Sequence, residues 1–305
     1  MMHRPAATVN RHNRRMRQAT AIFVNEGAGS AHSARVRRAI DLTQHALDAD
    51  RHVTATRDAA ELEAWMRERL DGYATIVIAG GDGSLGVAYN AAAGRDVTLG
   101  YIPAGFGNAT AHLLRMPREP RATAATLARA DARPVDLMAV GDRLALFAGA
   151  GWDALVARRY ADEGAHRLAG WARAVIESTP ALFQRRGVRV TADDRVVHEG
   201  PMELLVIGTT PFYGRGLHVN PGARPDIGQL TLRVYAGPAP SLALEAVRWA
   251  ARRHPRAEAH RAASVRLETL DGEPLAVQAD GDALGDSAAW RFEVRPRAVR
   301  LIGRW

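Results

Sequence analysis

The stretch Thr75-Ile76-Val77-Ile78-Ala79-Gly80-Gly81-Asp82-Gly83-Ser84 decides how this chain reads. Its first five residues form a continuous β-rich apolar run, the kind that is buried on both faces of a parallel sheet. A glycine-rich turn follows, and a helical pattern then runs from Leu85 to Ala93. Glycines between a strand and a helix let the backbone turn sharply and approach a polyphosphate. The helix N-terminus adds unpaired N–H groups and the positive end of a dipole. An aspartate inside such a loop repels phosphate unless it holds a cation or takes a proton, so Asp82 is a candidate Mg²⁺ contact or general base. Taken alone, the loop also reads as a tight turn in which Asp82 and Ser84 merely cap the helix.

Outward from this segment, β-rich runs alternate with helical patterns: strand Thr20–Val24, helix Ala31–Asp48, strand His52–Thr56, helix Asp58–Leu70, strand Val97–Ile102 and helical stretches to Ala130. Such alternation predicts an α/β domain with a mainly parallel sheet. Two more polar or glycine-rich loops follow strands, Asn25–Ser30 and Pro103–Asn108. Neighbouring parallel strands would bring all three loops to one carboxyl edge, where open α/β sheets bind ligands. Beyond Pro134 the texture changes to closely spaced strands (Val135–Val140, Leu144–Gly149, Val188–Ala192, Glu203–Gly208, Leu230–Tyr235, Ser264–Thr269, Leu275–Ala279, Ala288–Val294), interrupted by helices His166–Phe183 and Ser241–His254. The expected division is an arm over 1–18, an α/β domain over 19–133 and an antiparallel β domain over 134–305.

Composition removes several function classes. The 305 residues carry a net charge of +8, from 41 basic and 33 acidic side chains, and every basic one is arginine. Without lysine there is no Walker A loop and no Schiff-base chemistry. With no cysteine there is no disulfide framework, zinc-thiolate site or thiol nucleophile. No apolar run approaches the ~20 residues of a membrane-spanning helix. Arg4, Arg11, Arg14, Arg15 and Arg17 fall in the first 18 residues, which contain no acid. That arm lacks the apolar core of a secretory signal and reads as a solvated tail or an anionic-surface contact. The remaining charge is close to balanced and no recognition motif is present, so nucleic acid is not an expected partner.

Together these residues resemble the diacylglycerol kinase catalytic-domain family, which includes bacterial lipid kinases and sphingosine and ceramide kinases and is distantly related to NAD kinase. Asn25–Ser30 resembles its Asn-Pro-x-Ser-Gly start, Gly80–Ser84 its Gly-Gly-Asp-Gly-Thr, and Pro103–Ala111 its Pro-x-Gly-Thr-x-Asn-Asp-x-Ala. Further on, Val135-Asp136, Ala148–Ala154, Tyr213–Pro221 and Asp280-Gly281-Asp282 resemble its Val-Asp, Gly-Phe-Asp-Ala, Gly-Gly-rich and Asp-Gly-Glu segments. The resemblance spans roughly residues 19–303. It implies an N-terminal Rossmann-like nucleotide-binding domain with a C-terminal antiparallel β-sandwich, ATP with Mg²⁺, and transfer of the γ-phosphate to a diacylglycerol-like lipid hydroxyl. It also implies a cytoplasmic protein. Carried over by position, Asn25, Thr56, Gly80, Gly81, Gly83, Ser84 and Gly105 are nucleotide candidates, Asp82 and Asp282 catalytic candidates, and Asp82 and Asp226 metal candidates. For Thr56, capping of the helix from Asp58 is an equal reading, and for Asp280–Asp282 so is a β-turn.

Five positions depart from the family pattern. Val87 follows Gly86 where the family has Asn-Glu, Phe106 stands for a nucleotide-contacting Thr, and Ala109 for Asp. Ile227 stands for an aspartate beside a structural Mg²⁺, leaving Asp226 one residue early, and Asp282 stands for the Glu that accepts the proton. These departures give the alternative of an impaired member that binds lipid or nucleotide without transfer. The phosphofructokinase-like reading of Gly80–Ala88 fails because the second half is β-rich. Gly149–Ala154 fits a dinucleotide fingerprint only in isolation. A lipid substrate in a bilayer requires docking without a spanning helix. Leu242, Leu244, Val247 and Trp249 beside Arg248, Arg252, Arg253 and Arg256 form a candidate contact with an anionic membrane at its inner face.

Overall fold

The computed structural model describes residues 19–56, 58–162, 168–183 and 185–305. The basic arm lies outside the described residues. The chain forms two compact units, one of residues 19–105, 114–134 and 299–305, the other of 106–113 and 135–298. It therefore passes between units at Pro134/Val135 and also at Gly105/Phe106, Leu113/Leu114 and Ala298/Val299.

In the first unit, strands β1 (Thr20–Asn25), β2 (Asp50–Thr54), β3 (Thr75–Gly80) and β4 (Thr98–Pro103) form a parallel sheet in the order β2-β1-β3-β4. β1, β3 and β4 are buried along five consecutive residues, as expected of strands covered on both faces, whereas β2 at the edge is largely exposed. Arg300 and Leu301 of β16 (Ala289–Ile302) extend the sheet in parallel beside β4. Helix α1 (Ala34–Leu47) starts on Ser33, whose hydroxyl accepts from Val36 N–H, and stops at left-handed Asp48. Asp58 caps α2 (Ala59–Leu70) in the same way, and Leu62, Met66 and Leu70 form its buried face. Helix α3 spans Asp82–Ala92, so it begins three residues before the expected Leu85. Asp82, Gly83 and Ser84 are thus its first turn, and Gly81 is its N-cap.

Short α4 (Ala109–Leu113) lies in the second unit and α5 (Pro120–Arg129) in the first. The second unit is built on antiparallel strands. β7 (Phe147–Gly151), β10 (Leu204–Gly208), β11 (Leu230–Tyr235), β12 (His260–Ala262), β14 (Leu275–Ala279) and β15 (Asp282–Ser287) form a sheet in the order β12-β11-β10-β7-β14-β15. β13 (Ser264–Thr269) pairs with β16 and with β8 (Arg186–Ala192), which pairs with β9 (Arg195–Met202), and β5 (Ala132–Val140) pairs with β6 (Arg143–Ala145). The core takes Leu205 and Ile207 of β10 together with Val188, Val190, Val265, Leu267 and Phe292. Leu204 and Val206, on the opposite face by the period of two, pack with Leu242 and Trp249 of α8 (Ala239–Ala250).

The expected strand Leu144–Gly149 is in fact two, β6 and β7, which belong to different sheets. β9, β12, β15 and helix α6 (Trp152–Asp162) stand where the sequence showed no element. The expected helix His166–Phe183 is α7 (Leu168–Ser178) followed by a 3-10 turn, Thr179–Phe183. Among the described residues, no helix is long and apolar enough to cross a membrane.

Candidate functional site

At the carboxyl edge of the parallel sheet, the three loops are bonded to one another. Asn25, at the end of β1, donates from Nδ2 to Ser84 Oγ (3.0 Å) in the first turn of α3, and its Oδ1 accepts from Gly27 N–H at 2.9 Å. Both Asn25 and Ser84 are buried. Ser30 donates its backbone N–H and its hydroxyl to Ala104 O, each at 2.8 Å, and Ala104 N–H donates to Gly80 O at 2.7 Å.

The glycines are required by these contacts. A Cβ on Gly80 would stand 2.6 Å from Ser84 Cβ, and one on Gly81 would stand 3.3 Å from Gly105 Cα. A Cβ on Gly27 would stand 2.9 Å from Thr56 O and 3.0 Å from Asn25 Oδ1. Sequence reasoning passed over Gly27, although its Asn-Glu-Gly setting after a strand was the available signal. The structure therefore brings Asn25, Thr56, Gly80, Gly81, Ser84 and Gly105 to one edge, with Asp82 and Gly83 in the adjoining helix turn. The Thr56 hydroxyl itself is engaged locally: it donates to Glu61 Oε2 at 2.6 Å and accepts from Asp58 N–H at 3.2 Å. Only its carbonyl meets the loop, so the helix-capping reading describes its side chain.

This edge offers backbone N–H groups at a helix N-terminus, a polar Asn–Ser pair and one carboxylate, a set suited to polyphosphate. Asp82 is partly exposed. Its negative charge, after burial, helps hold the Tyr101 hydroxyl well above the ordinary tyrosine range. One carboxylate beside the N–H groups of a helix N-terminus is a donor set that fits Mg²⁺, which is commonly held by one or two carboxylates together with substrate phosphates.

Asp226 lies in the second unit and its side chain is half-exposed. Arg224 grips its carboxylate with two hydrogen bonds of 2.9 Å. The same loop is closed by Asp136, whose buried carboxylate accepts from Gly228 N–H at 2.6 Å and Arg297 N–H at 2.8 Å. Hydrogen bonds also hold this segment, for which the family resemblance implies a structural ion. Among the described residues, no group of three or more His, Asp and Glu side chains is placed to hold a metal.

Also in the second unit, the Asp280-Gly281-Asp282 turn joins β14 to β15. Asp280 is left-handed (φ 50°), and its carboxylate accepts from Leu146 and Phe147 N–H at about 3.1 Å. Asp282 is half-exposed and paired with Arg143 at 3.2 Å. Gly281 N–H donates to Gln278 Oε1 (2.9 Å), and Gln278 Nε2 donates to Asp153 Oδ2 (3.1 Å).

Asp153 is a residue to which the sequence assigned no role. Its Oδ1 is shut from solvent with no hydrogen-bond partner among the described residues. Burial, only partly offset by Gln278 and backbone N–H groups, pushes its carboxyl up to about 7. A Cβ on Gly149 would collide with this carboxylate, which explains the glycine without any dinucleotide.

Comparison with known proteins agrees with this architecture. Residues 19–140 match the diacylglycerol kinase catalytic domain, and residues 147–303 match the YegS C-terminal NAD kinase beta sandwich-like domain. A protein of Pseudomonas aeruginosa (strain UCBPP-PA14) described as "Probable lipid kinase YegS-like" is 30% identical over 234 residues, 75% of this chain and 76% of its own length. The crystal structure of a diacylglycerol kinase from Bacillus anthracis str. Sterne superposes with a TM-score of 0.71 at 18% identity, covering 94% of this chain and 97% of that one. An NAD kinase from Archaeoglobus fulgidus in complex with ATP shares the fold at a TM-score of 0.54 and 14% identity, with 93% of each chain covered. With both domain types present in order and a relative of this extent, the chain belongs to the diacylglycerol kinase catalytic-domain family and is a lipid kinase-like protein carrying a YegS-type second domain.

Proposed function

We propose that this chain transfers the γ-phosphate of ATP, with Mg²⁺, to the hydroxyl of a diacylglycerol-like lipid. The observation that carries the reading is the joined loop edge of the first unit, where Gly81 packs on Gly105 and Asn25 is bonded to Ser84. Phosphoryl transfer needs little covalent chemistry from the protein; it needs positioning and offset charge. In this reading, the N–H groups of the α3 first turn and of the Gly80-Gly81 segment hold phosphate oxygens, and Asn25 and Ser84 fix the loop in its shape. Asp82 would hold the magnesium ion, which would supply charge neutralisation between phosphates.

Asp282 is assigned to orient the acceptor hydroxyl and take its proton. Its side chain is one methylene shorter than the Glu of the family pattern, and its pairing with Arg143 must loosen for it to serve as a base. Peripheral contact with an anionic membrane completes the proposal, because the acceptor resides in a bilayer.

The test is incubation of the full chain with γ-labelled ATP and a total lipid extract, with and without Mg²⁺. Magnesium-dependent label in the organic phase supports the proposal. ATP binding with no labelled lipid would instead favour a binding protein that kept the fold.

A further inference from the structure

Val190, Val265, Leu267 and Phe292 turn one face of the β9-β8-β13-β16 sheet into the core, so by the period of two Arg189, Thr191, Arg266, Glu268 and Arg291 stand on its other face. Charge is arranged there in two rows. In one, Arg189 stands between Glu199 and Glu268, and opposite charges support the ladder. In the next, Arg266 stands between Thr191 and Arg291. Along these three ladders, this is the one place where like charges are directly opposed, an arrangement that destabilises a sheet.

A cleft of about 310 Å³ opens over that second row, lined by Thr191, Asp193, Asp194, Ser264, Arg266 and Arg291. All six residues belong to the second unit. Asp193 and Asp194, both left-handed (φ 43° and 67°), form the two-residue turn from β8 to β9. The turn is tied down by the Asp193 carboxylate, which accepts from Ala263 N–H at 3.0 Å and Ser264 N–H at 2.9 Å. Two carboxylates then serve three guanidiniums. Glu293 is shared by Arg291 (2.5 Å) and Arg295 (2.8 Å), and Asp194, 96% exposed, reaches Arg266 only at 3.6 Å, beyond hydrogen-bond length. Exposed pairs of this kind contribute little. Two opposed guanidiniums kept in a cleft break a local rule that a bound anion would mend, and rules of this kind are broken at functional sites.

We propose that this cleft binds a phosphate group, free or as a monoester, between Arg266 and Arg291, with the Thr191 and Ser264 hydroxyls as further donors. Cβ atoms of directly opposed residues lie about 4.5–5.5 Å apart, so both guanidinium forks can close on one group, each matching two of its oxygens. The cleft is at the small end of the range for small-molecule sites, about 300–1,000 Å³. The site is built wholly from the second unit and does not depend on the kinase proposal.

The experiment compares wild type with Arg266→Ala, Arg291→Ala, Asp194→Asn and, on the same face but in the balanced row, Arg189→Ala. Calorimetry at low ionic strength follows inorganic phosphate and glycerol 3-phosphate, and sedimentation follows vesicles of phosphatidylcholine with and without phosphatidic acid. Arg266→Ala and Arg291→Ala should each weaken binding at least about tenfold. Their thermal midpoints without phosphate should hold or rise, because the opposed charges are gone. Asp194→Asn removes a competing acceptor and should tighten binding about two- to threefold. Arg189→Ala makes the same change in net charge as Arg266→Ala and should stay within about twofold of wild type. Repeating the titrations in Gly81→Val keeps the loop edge of the first unit out of the signal. Arg266-dependent binding of the soluble probes assigns a free small molecule, and Arg266-dependent sedimentation confined to phosphatidic acid assigns a lipid headgroup.

An equal loss in Arg189→Ala would show attraction by net charge alone and overturn the proposal. So would disappearance of all phosphate binding in Gly81→Val, or wild type that binds none of the probes, and each of these leaves the kinase proposal to its own test. Arg266-dependent phosphate binding by a chain that transfers no label to lipid leaves this site standing and overturns the kinase proposal.

Discussion

Gly81 and Gly105 meet back to back: a Cβ on the first would stand 3.3 Å from the Cα of the second, closer than most real Cβ contacts. Gly81 has an ordinary extended φ of −88°, so a side chain there introduces no backbone strain and acts only through this contact and the space above it. Gly81→Val should therefore cut ATP affinity at least about tenfold and move the thermal midpoint by only a few degrees, because the loop lies at the surface. Calorimetry with ATP and a melting curve check both halves. A variant that binds ATP as wild type does would remove the loop edge from the nucleotide site.

Asp82 and Asp282 should separate in kinetics. Asp82→Asn keeps the side-chain size but removes the charge that would hold the cation, so kcat should fall at least about 10²-fold. Asp282→Ala should leave ATP affinity unchanged and abolish transfer. Asp282→Glu should keep or raise activity by restoring the missing methylene. Full activity in Asp282→Ala would assign the base to another carboxylate.

Asp153 should make stability depend on pH in a defined direction. Its carboxyl releases its proton near the ordinary 3.8 when unfolded and near about 7 when folded. Between these values the folded chain holds the extra proton, so stability falls as pH rises through that window and levels off above it. Asp153→Asn cannot ionise, and its side-chain oxygen can still accept from Gln278. Its thermal midpoint should exceed wild type at pH 8, and the gain should shrink toward nothing at pH 4. An equal difference at both pH values would show that Asp153 is not a raised carboxyl.

Helix α8 divides the apolar residues that the sequence grouped for membrane contact. Leu242 and Trp249 are core, packed with Leu204, Val206 and Tyr235, and are not available to lipid. Leu244 and Val247, three residues apart, are 43% and 64% exposed, and Arg252, Arg253 and Arg256 near the helix end are exposed too. The double variant Leu244→Ser, Val247→Ser should lose roughly tenfold in sedimentation with anionic vesicles. Wild-type binding should weaken as salt rises. Binding indifferent to lipid charge and salt would rule out this mode of docking.

The parts that could be read from the sequence share a physical basis. β1, β3 and β4 are continuous apolar runs because both faces are covered, and loops that follow such strands are marked by glycine and asparagine. β15, Asp-Ala-Leu-Gly-Asp-Ser, is a polar edge strand whose ladder partner β14 supplies the order, so no local pattern marks it. β9 carries Gly200 and Pro201 at an edge, which reads as a break. Local periodicity grouped Leu242 with Leu244, and only tertiary packing separates them. Asp153 was hidden for a similar reason: its enclosure depends on Gly149 and Gln278, the latter 125 positions away.

The most direct test of the central claim measures two products in one reaction. Purified chain, γ-labelled ATP, Mg²⁺ and diacylglycerol in mixed micelles are incubated, and ADP and chloroform-extractable label are followed together. The account predicts equal amounts of both for wild type, and a loss of both in Asp82→Asn of at least about 10²-fold. ATP bound without either product, or label appearing at the same rate in Asp82→Asn, would contradict it.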